Sequence, residues 1–483
     1  MILRNIFKTM RICTLNISQR AEGRFSTYFL LVVLIIFLVG NQPLHAQEKT
    51  YQLSNQAYYQ VETIYNIKNI GTDKVTDLNL DISAGNEALT RNMPYAILLY
   101  SSSLPEPGEI SRDSKGNQIA RHSIASLNSG ESNVIKTVQI FRAAEIALKI
   151  EPEKVEGYES VIRVISPYLS PSSGIESDNP LIMTKAKEII AGEINPYLKA
   201  KKIFEFLNSH MRYANAGEPS NLGALSALQT GVGVCEDYAD LMVALLRAAG
   251  VPARTVSGWM GNITGELITA DETGLKSPGH MWLEYYLPGY GWVPSDPTYT
   301  YLYNGIPTVD YERLTGLKEL RYATSSEEED FPVSFSYYGS KVEVSYEIKV
   351  SRLNEQLFLA QRIVDYISDA VLLYIEDIPL ILDVEPVIIE SRTLVPLRGI
   401  FSVFGAEVNW DGAEEQVTVK TADKSIVLRI GSNIAQVNGQ DIVLDTSPRL
   451  VNNRTMVPLR FISESIGIQV DWDFELRTIN LEI

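Results

Sequence analysis

Cys235 is the residue of this sequence with the clearest chemical potential. It opens a run whose apolar residues recur at helical spacing until Gly250 and Pro252, so a helix is predicted to begin at the cysteine. At a helix N-terminus the peptide dipoles favour a thiolate over a thiol. Glu236 and Asp237 oppose that effect through their negative charge, so a general base is still needed.

A second stretch supplies a base and a group that orients it. His280 opens the aromatic run 281–287, which predicts a strand; the turn 288–291 and the short strand 292–294 follow, and Asp296 comes next. A hairpin of this kind places His280 and Asp296 near one end of adjacent strands. A cysteine nucleophile, a histidine base and an aspartate that orients the imidazole form an arrangement suited to acyl transfer.

Residues 1–46 differ in composition from the rest of the chain. Basic residues precede the uninterrupted apolar run 29–39, and the segment ends in Leu44, His45 and Ala46, which is typical of a signal-peptidase site. The run is shorter than the roughly 20 apolar residues that a spanning helix needs. We expect a signal peptide cleaved near Ala46 and a secreted or cell-surface protein; an uncleaved signal anchor is the alternative.

The cysteine content agrees with a reactive thiol. The chain has 2 cysteines, and Cys13 lies inside the predicted signal peptide. The mature protein would keep Cys235 alone, and an unpaired cysteine in an exported protein indicates a reactive thiol. Cys235 could instead be a small buried apolar residue, but the histidine and aspartate blocks downstream favour chemistry.

Three successive blocks resemble the transglutaminase-like, papain-related superfamily in its bacterial form, over about residues 180–350: GVCEDYADLMVALLRAAGVPAR, GHMWLEYY and GWVPSDPT. The resemblance implies that Cys235 is the nucleophile, His280 the base and Asp296 the orienting residue. It implies a papain-like core over 175–352, in which the cysteine helix packs on an antiparallel sheet, and a thioester intermediate without a cofactor. The family includes amide-crosslinking enzymes, peptidases, amidases and inactive members, so the substrate stays open.

The oxyanion of such a reaction would be stabilised by the backbone N–H of Cys235 and one side-chain donor. Residue types and spacing do not identify that donor. Tyr213 is a weak candidate for lining the cleft, and a packed aromatic side chain is the favoured interpretation of it.

The segments on either side of this core are predicted from their patterns. Residues 47–165 contain short alternating runs separated by turn residues, which predicts a β-sandwich. His122 is expected to be a surface or half-buried residue of one of its strands. A hairpin over 331–350 is predicted to close the catalytic domain, and a linker helix is predicted over 353–371.

The C-terminal segment 372–483 contains an internal repeat. The octapeptide Ser391–Arg398 matches Asn453–Arg460, and Trp410 matches Trp472 at the same offset of 62 residues. Each half offers one short helix and a few strands, which is too little to bury a core alone. We therefore expect the two halves to fold as one α+β unit, and the residues expected inside it are Val395, Leu397, Val457 and Leu459.

This repeat resembles the copper amine oxidase amino-terminal-like domain found on many exported bacterial proteins. Residues 353–483 contain no histidine and no cysteine, so the usual copper ligands are missing and no metal site is predicted. We interpret the segment as an accessory module that attaches to a cell-wall or envelope component. Arg398 and Arg460 are expected to pair with carboxylates of the domain.

The whole chain has 483 residues, enough for about three domains, and a net charge of −17, which argues against nucleic acid as a partner. We predict an exported, multidomain α+β protein with a β-sandwich, a papain-like core and a repeated C-terminal domain. Its expected function is acyl transfer or hydrolysis on amide bonds of protein or peptide substrates. The alternative is a non-catalytic envelope-binding scaffold with the same fold.

Overall fold

The computed structural model describes residues 51–482 except 92, 114, 216, 262–278, 299–300, 304–305, 326–332, 354–370, 377, 381, 383 and 474–475. The predicted signal peptide and nearly all of the predicted linker helix lie outside the described residues. The described part is a mixed α+β structure, as predicted. It has no helix that is long and apolar enough to cross a membrane.

The strands between Tyr51 and Arg352 are β1 (Tyr51–Asn69), β2 (Val75–Gly85), β3 (Ala96–Leu104), β4 (Glu109–Arg112), β5 (Gln118–Leu127), β6 (Ser132–Leu148), β7 (Arg212–Tyr213), β8 (Val232–Gly233), β9 (Ala253–Gly261), β10 (Gly279–Leu287), β11 (Gly291–Ser295), β12 (Tyr301–Tyr303), β13 (Ile306–Thr308), β14 (Gly316–Leu317), β15 (Leu320–Ser325), β16 (Val333–Tyr338) and β17 (Val342–Arg352). The helices of this part are α1 (Glu87–Thr90), α2 (Ile162–Ile165), α3 (Pro180–Ile190), α4 (Pro196–His210), α5 (Gly223–Thr230) and α6 (Cys235–Ala248), with 3-10 turns at Pro152–Lys154, Ser166–Leu169 and Tyr311–Arg313.

The N-terminal strands form two antiparallel sheets. One has the order β14-β6-β1-β17, with β3 also paired to β6, and the other has the order β16-β2-β5-β4. Alternate residues of both sheets meet in one buried cluster, which includes Tyr65, Leu80 and Ile135. His122, on β5, is 3% exposed, so the expectation of a surface or half-buried position was wrong. Its side chain points to the buried face because neighbouring strand positions alternate between the two faces.

The prediction of a closing hairpin over 331–350 was wrong, because the two described strands of this segment, β16 and β17, lie in different sheets and do not pair with each other. β16 pairs with β2, and β17 pairs with β1 from Tyr59 opposite Arg352 to Asn69 opposite Val342. Each strand therefore extends one of the N-terminal sheets, and neither joins the catalytic sheet. β17 alternates between half-buried and exposed positions, and such a pattern shows that one face is covered without identifying the neighbour.

The central part packs helices against the sheet β11-β10-β9-β15. The longest contact is made by α6, whose residues from Asp237 to Arg247 are all buried. α6 begins at Cys235, as predicted, and Asn179 caps α3 and Asn195 caps α4, each followed by a proline at the first helical position. The hairpin of β10 and β11 is also confirmed, with Leu283 opposite Ser295.

The elements of the C-terminal part are β18 (Leu372–Ile375), β19 (Ile378–Pro379), β20 (Val387–Ile389), β21 (Arg392–Pro396), α7 (Leu397–Val403), β22 (Glu407–Asp411), β23 (Gln416–Lys420), β24 (Ser425–Arg429), β25 (Ile434–Val437), β26 (Gln440–Val443), β27 (Arg449–Val451), β28 (Arg454–Pro458), α8 (Leu459–Ile466), β29 (Gln469–Asp473) and β30 (Thr478–Glu482). They form the sheets β19-β18-β30-β29, β20-β21-β28-β27 and β22-β23-β24-β25-β26.

The two halves of the repeat share one core, as predicted. β21 pairs with β28, with Val395 opposite Val457, and both residues are buried together with Leu397 and Leu459. The arginines of the repeat behave differently from each other. Arg460 lies 2.9 Å from Asp445, as expected. Within the described part of the chain Arg398 forms no ion pair, so that half of the expectation was wrong; its side chain faces solvent on the first turn of α7.

Candidate active site

Cys235 is the first residue of α6 and is half-buried. Gly231 and the short strand β8 precede Cys235 in the chain. Gly231 is the C-cap of α5, with a φ of 66°, and β8 pairs in parallel with β7. A Cβ at Gly231 would lie 2.8 Å from the carbonyl oxygen of His210, so the position requires glycine. These local constraints fix the backbone that leads into Cys235, whose thiol interacts with His280 and Tyr213.

Asp237 holds the start of this helix together. Its carboxylate accepts hydrogen bonds from the backbone N–H groups of Val234 at 2.9 Å, Asn221 at 2.9 Å and Leu222 at 3.0 Å. The side chain is buried, with 2% exposure. Asp237 therefore ties three loop positions to α6, a structural role that the sequence analysis did not foresee.

His280 lies on β10 with its ring buried, opposite Gly258 of β9. Its Nε2 is 2.8 Å from Oδ2 of Asp296, so the hairpin brings together the two groups that the sequence analysis paired. Burial alone would lower the pKa of His280. The negative charge of Asp296 and the interaction with Cys235 outweigh burial and raise the pKa to about 9.

Asp296 is fully buried and has several partners. Oδ2 accepts a hydrogen bond from Nη2 of Arg321 at 2.6 Å, and Oδ1 accepts one from the backbone N–H of Thr298 at 3.1 Å. Arg313 lies 3.9 Å away. Burial would raise the pKa of Asp296, but His280 and the two guanidinium groups hold it well below its usual range. Asp296 is therefore ionised at every physiological pH.

Arg321 was missed by the sequence analysis. It lies on β15, the strand next to β9, and its side chain is fully buried. The guanidinium is 5.7 Å from the ring centroid of Trp282, and its Nε and Nη1 have no hydrogen-bond partner among the described residues. Burying an arginine in this way is costly unless its charge is used, and Asp296 is the carboxylate closest to it. The motif blocks carry no signal for this residue, because it follows them by a long interval.

Tyr213 lies beside the cysteine. It is on β7, opposite Gly233 of β8, and its ring stacks on Tyr238 of α6 with centroids 6.4 Å apart. Burial and then the proximity of Cys235 raise the pKa of Tyr213 to about 12, so its hydroxyl keeps its proton. The residue is a packed aromatic, as favoured, and it also lines the site, as the weaker interpretation held.

A buried polar network is formed around β10, the strand that carries His280. Glu284 of β10 faces Arg254 of β9 at 2.7 Å and accepts a hydrogen bond from the hydroxyl of Tyr95 at 2.8 Å. That hydroxyl in turn accepts one from Nε1 of Trp282 at 3.1 Å. The guanidinium of Arg254 also stacks over Trp292, 3.9 Å from its ring centroid. The network connects β9 and β10 at Glu284, two pleat repeats along β10 from His280.

Residues 184–297 match the transglutaminase-like superfamily. That segment contains the cysteine helix and both strands of the hairpin. Residues 374–481 match the copper amine oxidase N-terminal domain. Both resemblances found in the sequence are confirmed. Within the described residues, no group of three or more histidine, cysteine, aspartate or glutamate side chains is arranged to hold a metal ion.

Individual relatives cover only parts of the chain. A protein-glutamine gamma-glutamyltransferase of Pseudomonas aeruginosa is 35% identical over 127 residues, which are 25% of this chain and 18% of that protein. An uncharacterised protein of Haemophilus influenzae is 33% identical over 146 residues, 27% of this chain and 39% of that protein. The crystal structure of a candidate cysteine protease from Cytophaga hutchinsonii aligns with 63% of this chain and 93% of its own, at 17% identity and a TM-score of 0.42. The chain thus spans less than half the length of these two curated relatives.

Proposed function

We propose that this protein is an exported cysteine enzyme that transfers or hydrolyses acyl groups of amide bonds in proteins or peptides, with Cys235 as nucleophile, His280 as acid and base, and Asp296 as the residue that orients the imidazole. The observation that carries the proposal is the buried pair of His280 and Asp296, 2.8 Å apart, in contact with a thiol at a helix N-terminus. This is the arrangement that activates a cysteine.

The first half of the reaction uses the raised pKa of His280. Because that pKa is about 9, the imidazole is protonated near neutral pH and stabilises a thiolate on Cys235. The thiolate attacks the carbonyl carbon of the amide, and the carbonyl electrons move onto oxygen. When the tetrahedral intermediate collapses, the C–N bond breaks and the departing amine takes the proton of His280. A thioester and a neutral imidazole remain.

The second half restores the enzyme. A primary amine or a water molecule attacks the thioester carbon while His280 accepts its proton, and the thiolate of Cys235 leaves. Asp296 keeps the imidazole in one orientation and stabilises its charged form in both halves. We propose the backbone N–H of Cys235 and the hydroxyl of Tyr213 as donors to the oxyanion, since the phenol is protonated and adjacent to the thiol.

The substrate is proposed to be a glutaminyl side chain or a similar amide of a protein near the cell surface. Support comes from the relative named protein-glutamine gamma-glutamyltransferase, whose match includes only part of either chain. The extracytoplasmic location rests on residues 1–46, and the mass of the secreted protein tests it: a mature chain that begins at Gln47 is expected. We also propose that residues 372–483 attach the protein to an envelope component, and the support for this is their match to the copper amine oxidase N-terminal domain.

The decisive experiment combines thiol labelling with product analysis. The full-length protein is incubated with an acetylated glutaminyl peptide and a fluorescent primary amine, and mass spectrometry follows the peptide. An amine conjugate indicates transfer, and conversion of glutamine to glutamate indicates hydrolysis. Iodoacetamide should alkylate Cys235 rapidly near neutral pH, and His280→Ala should slow this sharply. Equal alkylation rates in both proteins, with no change in the peptide, would refute the proposed enzymatic function. The alternative of a non-catalytic envelope-binding scaffold would then be favoured.

A further inference from the structure

The C-terminal repeat contains a cavity of about 610 Å³ that is lined by residues of both halves. Its walls come from α7, from the edge strand β22 and from the turn that precedes β28. Most of the lining is apolar, including Leu397, Val408 and Leu450, and the charged residues that line it are Arg398 and Arg454. A volume of this size is typical of pockets that hold a small ligand or a few residues of a peptide.

The corresponding side chains of the two halves are used differently, although the sequences match at these positions. In the second half, Arg460 is paired with Asp445 and Trp472 packs against the domain core. In the first half, Trp410 is 43% exposed at the cavity, and Arg398 has no ion-pair partner among the residues that the structure describes. The second half therefore uses its arginine in a surface ion pair and its tryptophan against the core, whereas the corresponding residues of the first half line a pocket.

The strand beside the cavity is built to accept another strand. β22 is an edge of its sheet and pairs only with β23 among the described strands. Val408 and Trp410 are two positions apart, so both point to the same face of β22, and both line the cavity. Leu450, on the edge strand β27, is 51% exposed on another wall. An extended peptide can add to such an edge through main-chain hydrogen bonds and place alternate side chains in an adjacent pocket.

We propose that this cavity binds the C-terminal end of an extended peptide, with an apolar last side chain between Trp410 and Leu450 and the terminal carboxylate at Arg398. The apolar floor suits the side chain, and Arg398, which has no ion-pair partner among the described residues, suits the carboxylate. The edge strand favours a peptide over a lipid or a sugar, because only a peptide offers matching backbone groups. The proposal does not depend on the chemistry at Cys235.

The test uses the full-length protein carrying Cys235→Ala, so that no acyl transfer occurs. It is applied to an array of random pentapeptides anchored by their N-termini with free terminal carboxylates, and to the same array with amidated ends. We expect binding to carboxylate peptides that end in an apolar residue and a loss of at least about tenfold in affinity for their amides. Arg398→Gln and Trp410→Thr should each cause a similar loss in titrations with the best peptide.

The repeat supplies the matched control, since Arg460→Gln makes the same change at the equivalent position of the other half and should leave affinity unchanged. Circular dichroism checks that all variants are folded. The proposal is overturned if no pentapeptide binds, if acids and amides bind equally, or if Arg398→Gln and Arg460→Gln have the same effect. Binding to phosphatidylglycerol vesicles in place of peptides would also overturn it.

Discussion

At the scale of single residues, Asp296 is the group around which the site is arranged. It is buried, it accepts hydrogen bonds from a histidine, an arginine and a backbone amide, and a second arginine lies 3.9 Å away. The ion pair with this carboxylate is the largest contribution that raises the pKa of His280. The charge state of the imidazole therefore depends directly on Asp296.

This dependence predicts a change in the pH profile. The imidazolium must donate a proton to the leaving amine, so activity should fall above about pH 9 as His280 loses its proton. Asp296→Asn removes the group that stabilises the imidazolium and leaves burial unopposed, so the pKa of His280 should drop and this alkaline limb should move to lower pH. The rate of conversion of the glutaminyl peptide against pH measures the shift.

The matched control for that experiment is Asp445→Asn, which neutralises a carboxylate paired with Arg392 and Arg460 far along the chain. Its profile should be that of the wild type. An alkaline limb that stays in place in Asp296→Asn would mean that another group sets the charge of His280.

Arg321 is expected to position Asp296. Arg321→Met keeps much of the apolar part of the side chain and removes the guanidinium, so the buried carboxylate loses its shortest hydrogen bond. Removing one partner of a buried ion pair costs about 3–5 kcal/mol, and we expect a loss near the lower limit because His280 and Arg313 remain. We also expect kcat to fall with little change in KM, and Arg321→Lys to restore part of it. A purely structural role would lower stability and leave kcat per folded molecule unchanged.

At the scale of elements, β10 has two functions. One end presents His280, and the middle of the strand carries Glu284, which lies opposite Arg254 of β9 in the sheet register. Both side chains of this ion pair are buried, with exposures of 4% for Arg254 and 1% for Glu284. The pair and Tyr95 hold β9 and β10 in register, and that register sets the position of His280.

Glu284→Leu should therefore destabilise the protein strongly. It leaves Arg254 charged and buried without its carboxylate, which costs about 3–5 kcal/mol. The double variant Arg254→Met with Glu284→Leu should be more stable than Glu284→Leu alone, because no unpaired charge remains. Urea unfolding of the three proteins measures this; destabilisation that simply adds in the double variant would show that the two charges are not coupled.

At the scale of the whole molecule, the C-terminal domain packs against the rest of the described chain. Ile378 is buried in a cluster with Val161, Ile165 and Tyr286. The hydroxyl of Tyr286 donates a hydrogen bond to the carbonyl oxygen of Glu376 at 3.0 Å. Tyr286 also belongs to β10, so this contact reaches the strand that carries the candidate histidine.

A chain that ends after Arg352 should keep the candidate site and lose this support. β17 is complete at that point, so both N-terminal sheets are retained. We expect iodoacetamide to label Cys235 at a rate within about twofold of the full-length protein and the melting temperature to fall by a few degrees, since a small apolar cluster is exposed. His280→Ala in the shortened chain serves as the negative control. Loss of labelling in a shortened chain that is still folded would show that the C-terminal domain is needed for thiol reactivity.

Local signals in the sequence determined the starts of α3, α4 and α6, the β10–β11 hairpin, the two family resemblances and the pairing of His280 with Asp296. The helix starts and the hairpin follow from caps, turns and periodicities within a few residues of each other, and the resemblances follow from the motif blocks. Only the tertiary structure decided that β16 and β17 join the N-terminal sheets, that Arg321 lies against Asp296, and that Arg398 and Arg460 differ in use. Strand partners and buried charge pairs are selected by packing between distant segments, and a motif that recurs in both halves of a repeat cannot show which partners each copy will contact.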